Sequence, residues 1–260
     1  MFLGIDIGSS SSKAVVLDAD KKVLAQQVVN MGTGTKGIFM SIDQALTEAG
    51  LGMDDIKYSV VTGYGRMTYQ GANAQITEIT CHAKGVAFVA PEARTVVDIG
   101  GQDAKVISLS PDGQVNNFVM NEKCAAGTGR FLEVMARVLG CAIDELAGLA
   151  KASTQRLSIS NICTVFAESE VISQLSSGAK LADVAQGAHV AIAKRVAGMA
   201  GRVGVKPVVV MTGGVALNCS LVDALAEELK IPITVPEHPQ SMGALGAALF
   251  AWERFQKQQA

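Results

Sequence analysis

The chain repeats itself. "LGIDIGSSSSKAVVLDADKKVLAQQVV", residues 3–29, and "VVDIGGQDAKVISLSPDGQVNNFVM", residues 96–120, run through the same series: apolar strand, Asp, Gly, polar turn, Lys, apolar strand, turn, strand. A duplicated β-β-β-α unit is the plain physical reading, and it predicts two like domains facing each other. The division expected is 1–92, completed by a C-terminal helix 243–260, and 93–242. In each half the apolar runs are short and punctuated by Asp, Gly or Pro-Asp-Gly, which reads as an antiparallel meander.

Between and after the meanders the period changes. Ile38, Ile42, Ala45, Leu46 and Ala49 fall on one face of a helix from about 37 to 49, "IKYSVVTGYG" returns to strand, and 74–89 reads as a further helix. The second half is largely helical, through roughly 127–140, 143–152, 164–176 and 181–203. "PVVVMTGGVALN" is a late strand ending in Gly-Gly before a helix, and "SMGALGAALFAWERF" supplies the last helix, its small residues allowing close packing. The fold class expected is α/β, with 260 residues and 49% hydrophobic content enough for two modest cores.

Charge and composition exclude several roles. A net charge of −2, with Lys and Arg scattered, offers no basic patch to neutralise nucleic-acid phosphates. No apolar run of membrane-spanning length occurs, and Met1 runs straight into "FLGIDIG" without a basic leader, so a cytoplasmic protein with no membrane partner is expected. Five cysteines without framework spacing argue for reduced thiols.

Two glycine-ended strands carry chemistry. In "GIDIGSSSSK", Asp6 and Gly8 close a strand, and Ser9, Ser10, Ser11, Ser12 and Lys13 offer N–H groups, hydroxyls and an ammonium around one turn. These are phosphate-holding parts. Asp98, Gly100, Gly101, Gln102 and Asp103 repeat the arrangement, and two carboxylates beside two such turns suit a hydrated Mg²⁺. With "MTGGVALN", these segments resemble the phosphate-1, phosphate-2 and adenosine motifs of the superfamily of sugar kinases, heat-shock chaperones and actin. That resemblance implies two ribonuclease-H-like domains with ATP or ADP in the cleft between them. It also implies Asp6, Asp98 and Gln102 at the reaction centre, the Ser9 to Ser12 turn, Lys13, Gly100, Gly101 and Asp103 on the phosphates, and Gly213, Gly214 and Gln240 on the nucleoside side. "GTGTKG", residues 32–37, formally fits a dinucleotide fingerprint, but its preceding strand belongs to a meander and the parallel βαβ context is missing. A flexible connection near the cleft is expected there instead.

Cys124, ahead of "AAGTGRFLEVMARVL", and Cys163, ahead of "TVFAESEVISQL", both precede helices, whose N-termini favour thiolate, the form that ligates metal. Cys81, Cys141 and Cys219 read as small buried hydrophobes, the last two continuing apolar helical faces. Two thiols cannot close a four-thiolate site, but a twofold dimer would supply four, for one [4Fe–4S] cluster or one Zn²⁺. Residue chemistry leaves both open. "NEKCAAGTGRFLEVMA", "CTVFAESEVISQLSSG", "TGYGR", "DIGGQD" and "MTGGVALN" together resemble the ATP-dependent activators of 2-hydroxyacyl-CoA dehydratases. The resemblance implies a homodimer with a bridging [4Fe–4S] cluster held by Cys124 and Cys163. One-electron transfer to an iron–sulfur dehydratase or reductase, fed by a donor such as ferredoxin or flavodoxin, goes with it. A small-molecule kinase and a nucleotide-switched binding protein of the same superfamily are the competing readings; no large insertion supplies a sugar pocket. His189 and His238 show no ligand spacing and receive no role.

Overall fold

The computed structural model describes residues 1–259; Ala260, the end of the expected last helix, lies outside them. The chain forms two compact units, one of Met1–Arg94, Leu109–Asn116 and the segment from Pro236 onward, the other of Thr95–Ser108 and Asn117–Val235.

The first unit is built on β1 (Phe2–Ile7), β2 (Ser12–Leu17), β3 (Val23–Val29), β4 (Tyr58–Thr62) and β5 (Ala74–Gln75), in the order β3-β2-β1-β4-β5. The meander β1-β2-β3 is antiparallel, and β4 and β5 add in parallel. Alternation along β1 sorts its side chains between the two faces. Leu3, Ile5 and Ile7 are fully buried with Ile38, Ile42, Ala45 and Leu46 of α1 (Gly37–Ala49). Gly4 and Asp6 face the other way, towards α8 (Met242–Gln259). A Cβ at Gly4 would stand 2.0 Å from the Ala244 carbonyl oxygen, so the bare backbone is what lets α8 lie on the strand. Likewise α2 (Glu78–Val89) meets α8 through Gly85 and Gly246, whose Cβ atoms would strike the carbonyls of Met242 and Cys81 at 2.1 and 1.8 Å.

The second unit repeats the plan with β6 (Thr95–Ile99), β7 (Ala104–Leu109), β8 (Val115–Asn121), β9 (Val209–Thr212) and β10 (Ile233–Thr234), ordered β10-β9-β6-β7-β8. As in the first sheet, the hairpin β6-β7 is antiparallel and β9 and β10 are parallel additions. The helices are α3 (Gly129–Leu139), α4 (Leu146–Lys151), α5 (Thr164–Ser176), α6 (Leu181–Val203) and α7 (Cys219–Leu229). Their core sets Phe131, Met135 and Leu139 of α3 and Ile192 and Val196 of α6 with Val97 and Val106 of the sheet. The α/β class and the duplication expected from the sequence are both present. The two-residue strands β5 and β10 are additions, and β5 occupies the start of the stretch read as helix from 74.

Among the described residues no helix is long and apolar enough to cross a membrane.

Candidate functional site

Each unit places a buried acid, a lysine and closely packed glycines at the end of its first strand. In the first, Asp6 is 4% exposed and its Oδ2 lies 3.2 Å from Nζ of Lys13, its cross-strand partner. Gly63, with φ +92°, follows β4 and passes so close that a Cβ would stand 2.4 Å from Asp6 Oδ1 and 2.5 Å from the Ile7 carbonyl oxygen. Gly243 closes the other side, a Cβ there standing 3.1 Å from Asp6 Oδ2 and 2.8 Å from Cε1 of buried His82. The turn itself is tight: Gly8 N donates to Ser11 O (3.0 Å), and a Cβ at Gly8 would lie 3.1 Å from Lys13 Nζ. Ser9 and Ser11 are half-buried and Ser10 is exposed. Ser12, grouped with them as a phosphate hydroxyl, is buried and donates its Oγ to the Met31 carbonyl (2.8 Å), fixing the strand end. Gln240 is half-buried in the turn Pro239–Ser241 that leads into α8.

"GTGTKG" supports this turn. Gly32 presses on the Ser9 backbone, where a Cβ would be 2.0 Å from the carbonyl oxygen, and Thr33 N donates to Gly8 O (2.9 Å). The segment expected to be a flexible connection is therefore packed against the turn, its first glycine required by close approach. Its preceding strand, β3, is antiparallel to β2, so the dinucleotide context is absent as anticipated.

In the second unit the same parts are locked more tightly. Asp98, 3% exposed, accepts from Thr212 Oγ1 at Oδ1 (2.8 Å) and pairs with Lys105 Nζ at Oδ2 (3.1 Å); Lys105 also meets Asp103 at 2.5 Å. Gly213, φ +86°, mirrors Gly63: its Cβ would stand 2.3 Å from the Ile99 carbonyl oxygen and 3.0 Å from Asp98 Oδ1. Gly100 N donates to Asp103 O (2.9 Å), Gly101 is half-buried, Gln102 is exposed on the tip of the turn, and Gly214 is exposed after β9. The carbonyls of Gly100 and Gly101 accept from the N–H groups of Gly129 (2.9 Å) and Arg130 (2.7 Å). The turn thus caps α3, whose own cap residue Thr128 makes no side-chain capping bond.

Asp6, Gly8, Lys13 and Gln240 belong to the first unit; Asp98, Gly100 to Asp103, Gly213, Gly214 and both cysteines belong to the second. Sequence reasoning assigned no role to Lys105, Thr212 or Arg66, whose guanidinium donates to the Gly63 carbonyl (3.1 Å). Asn218, which caps α7 by accepting from Leu221 N (3.0 Å), received no role either, and it lies beside His189. Burial holds His189 below the usual histidine range between Ala185 O and Asn218 Oδ1, a structural setting that agrees with giving it no role.

The cysteines differ from expectation in one respect. Cys163 caps α5 directly. Cys124 stands four residues ahead of the Thr128 cap, because Gly127, φ +86°, turns the chain first, with Asn121 Nδ2 donating to the carbonyls of Cys124 (2.8 Å) and Ala126 (3.1 Å). Of these two, Cys163 alone therefore sits at a helix start. The fold nevertheless brings the two together: Cys124 Sγ lies 4.0 Å from the carbonyl oxygen of Ile162, the residue before Cys163. Both are half-buried, and Thr164 Oγ1 beside them is buried without a partner. Around them Ile162, just ahead of α5, and Val165 and Phe166 on its first turn are 69%, 64% and 66% exposed and form an apolar face. Among the described residues no group of three or more His, Cys, Asp or Glu is arranged so that it could hold a metal ion within one chain.

Of the other cysteines, Cys81 is buried as expected, its thiol pushed up to about 12 by burial. Its neighbour Thr62 makes no hydrogen bond of regular geometry and offers the thiol only a weak contact. A thiol so held is no nucleophile at neutral pH. Cys141 and Cys219 correct the expectation. Cys141 is half-buried one residue past Gly140, whose left-handed cap ends α3, and Cys219 is exposed as the first residue of α7.

The sequence profile of the BadF/BadG/BcrA/BcrD ATPase family matches residues 3–251. The activator of lactoyl-CoA dehydratase of Anaerotignum propionicum is 54% identical over 255 residues, covering 98% of each chain. The (R)-2-hydroxyglutaryl-CoA dehydratase activating ATPase of Acidaminococcus fermentans is 49% identical over 98% of each. Among solved structures, the activator of the 2-hydroxyisocaproyl-CoA dehydratase from Clostridium difficile, with bound ADPNP, superposes with a TM-score of 0.96 at 50% identity, covering 100% of this chain and 97% of that one.

Proposed function

The chain belongs to the BadF/BadG/BcrA/BcrD ATPase family, and we propose that it is the ATP-dependent activator of a 2-hydroxyacyl-CoA dehydratase, passing single electrons to that iron–sulfur partner in the cytoplasm. One observation carries the reading: in the second unit a glycine turn beside a buried carboxylate caps α3, and the segment leading into α3 carries Cys124 next to Cys163.

Each unit supplies one ribonuclease-H-like domain, and each contributes one phosphate turn. Lys13 leaves Asp6 for the phosphates of ATP, and the N–H groups of Gly8 to Ser11 and of Gly100 to Asp103 hold the phosphate oxygens. Asp6 of one unit and Asp98 of the other are the carboxylates that would hold a hydrated Mg²⁺ ion, which would neutralise charge on the phosphates. Gln102 orients the attacking water, and Gly213, Gly214 and Gln240 border the nucleoside. Glycine at 8, 63 and 243 suits this role, since a Cβ at any of them would fill the space around Asp6 and Lys13.

The cysteine site fits a shared metal centre. A second copy covers the exposed Ile162, Val165 and Phe166, because an isologous contact brings the same apolar face from each subunit to the axis. Four thiolates from Cys124 and Cys163 of the two subunits then match a [4Fe–4S] cluster, which when bound stores and releases one electron, received from ferredoxin or flavodoxin. The start of α5 at Cys163 favours negative charge there. Moving α5 or α3 in response to ATP alters that stabilisation; a coupling of about 1–3 kcal/mol, typical of linked sites, corresponds to roughly 40–130 mV for one electron. The relatives act with different acyl-CoA dehydratases, so the acyl group belongs to the partner enzyme and is not read by this chain.

Asp6→Asn tests the nucleotide half of the proposal. Steady-state ATP hydrolysis by the variant should fall at least ~100-fold, the scale of losing a group that organises charge at a phosphoryl centre. Hydrolysis within about threefold of wild type would remove Asp6 from the reaction.

A further inference from the structure

"TGYGR" helps to carry the family resemblance, yet nothing in the function above uses its arginine. The structure ties this loop to the first phosphate turn at three points. Gly65 N donates to the Ile7 carbonyl (2.8 Å), the last residue of β1. Gly65 also sits so close to Ile7 Cγ2 and Thr33 Oγ1 that a Cβ would lie 2.5 Å from each, and Thr33 in turn holds Gly8 through its N–H. Gly63 lies against Asp6, as described. From this anchored loop the Arg66 side chain folds back, and its NH1 donates to the Gly63 carbonyl at 3.1 Å. The guanidinium is therefore held at the residue that flanks the Asp6 carboxylate. It is half-buried, and its charge reaches the buried Cys81 thiol behind the same strand end.

A neutral carbonyl as the partner of NH1 does not compensate the guanidinium's charge, and the remaining N–H donors of a planar fork suit phosphate oxygens. We propose that Arg66 is a second cation of the first unit's phosphate turn, binding the terminal phosphate oxygens of ATP beside Lys13 and stabilising the charge that builds there during hydrolysis. The inference deepens the ATPase reading and rests on it. In the step concerned, a water oxygen bonds to the γ-phosphorus while the bond to the β,γ-bridging oxygen breaks. That electron pair leaves with ADP, and the proton released from water goes to solvent. Charge on the phosphoryl oxygens is largest at the transition state, where a guanidinium in place contributes most.

Arg66→Gln and Arg66→Lys, made in the full-length dimer, test it against a purely structural clip on the loop. In Arg66→Gln the kcat for ATP hydrolysis should drop about 100-fold or more, given the large effect of arginines placed at phosphoryl transfer. ADP affinity and the thermal midpoint should stay close to wild type, because the transition-state contact is lost and the fold is not. Arg66→Lys, which keeps the charge without the fork, should recover part of the loss. A kcat for Arg66→Gln within about threefold of wild type overturns the proposal. So does an equal weakening of ATP and ADP binding accompanied by a lowered midpoint in both variants, the signature of a clip. Wild-type protein that binds no ATP would bring down the ATPase reading and this inference together, whereas an active wild type with an unaffected variant sinks the inference alone.

Discussion

Lys105→Met should destabilise the protein by about 3–5 kcal/mol, the cost of removing one partner from a buried ion pair. Against a total of roughly 5–15 kcal/mol for a folded domain, that is enough to unfold a large fraction of molecules near physiological temperature. The reason lies in the second unit's strand end. Lys105 is 2% exposed and lies between Asp98 and Asp103, so its removal takes the cation away from two carboxylates, one of them the buried Asp98. Urea denaturation of the whole chain at neutral pH measures the effect. A variant within 1 kcal/mol of wild type at neutral pH would show that Lys105 does not compensate this acid, by the usual scale of surface substitutions.

Cys124→Ala and Cys163→Ala should each abolish the metal centre. Wild-type protein purified without oxygen is expected to be brown, with about four irons per dimer, as a [4Fe–4S] centre requires. Either variant should be colourless with essentially none. Cys141→Ala should keep the full iron content, since Cys141 lies past the end of α3 and packs against the core. Colourless, iron-free wild type after anaerobic reconstitution would favour Zn²⁺ or no metal, and bleaching by Cys141→Ala alone would show that the ligands are wrongly chosen.

The duplication was legible because it is written in strand-length units: "DIGSSSSK" and "DIGGQDAK" place Asp and Lys seven apart in both halves, which across a hairpin makes them partners, Asp6 with Lys13 and Asp98 with Lys105. The same spacing makes Lys105 the counterpart of Lys13. What separates them is the second acid, Asp103, which no pattern of the first half foretells. Gly63 and Gly213 were visible as glycines after strands, but their task became clear only with the side chains in place: each leaves room for the acid of the neighbouring strand. Ser12 illustrates the opposite error. A run of four serines looks uniform in sequence, yet strand alternation buries the last one and gives its hydroxyl to Met31. Cys124 stands four residues ahead of the Thr128 cap because a left-handed Gly127 inserts a turn that helical periodicity does not register. The pairing of Cys124 with Cys163 depended on tertiary contact between α3 and α5 segments, which local pattern does not encode.

The central claim is that nucleotide state governs electron delivery. Chemically reduced protein should be mixed, without oxygen, with an oxidised dehydratase partner in the presence of ATP, of ADP, or of no nucleotide, and electron transfer followed by the bleaching and recovery of the iron–sulfur absorbance in a stopped-flow instrument. Fast transfer with ATP, slowed at least about tenfold with ADP or none as a coupling of ~1–3 kcal/mol implies, is the predicted result. Equal rates under all three conditions would contradict the account.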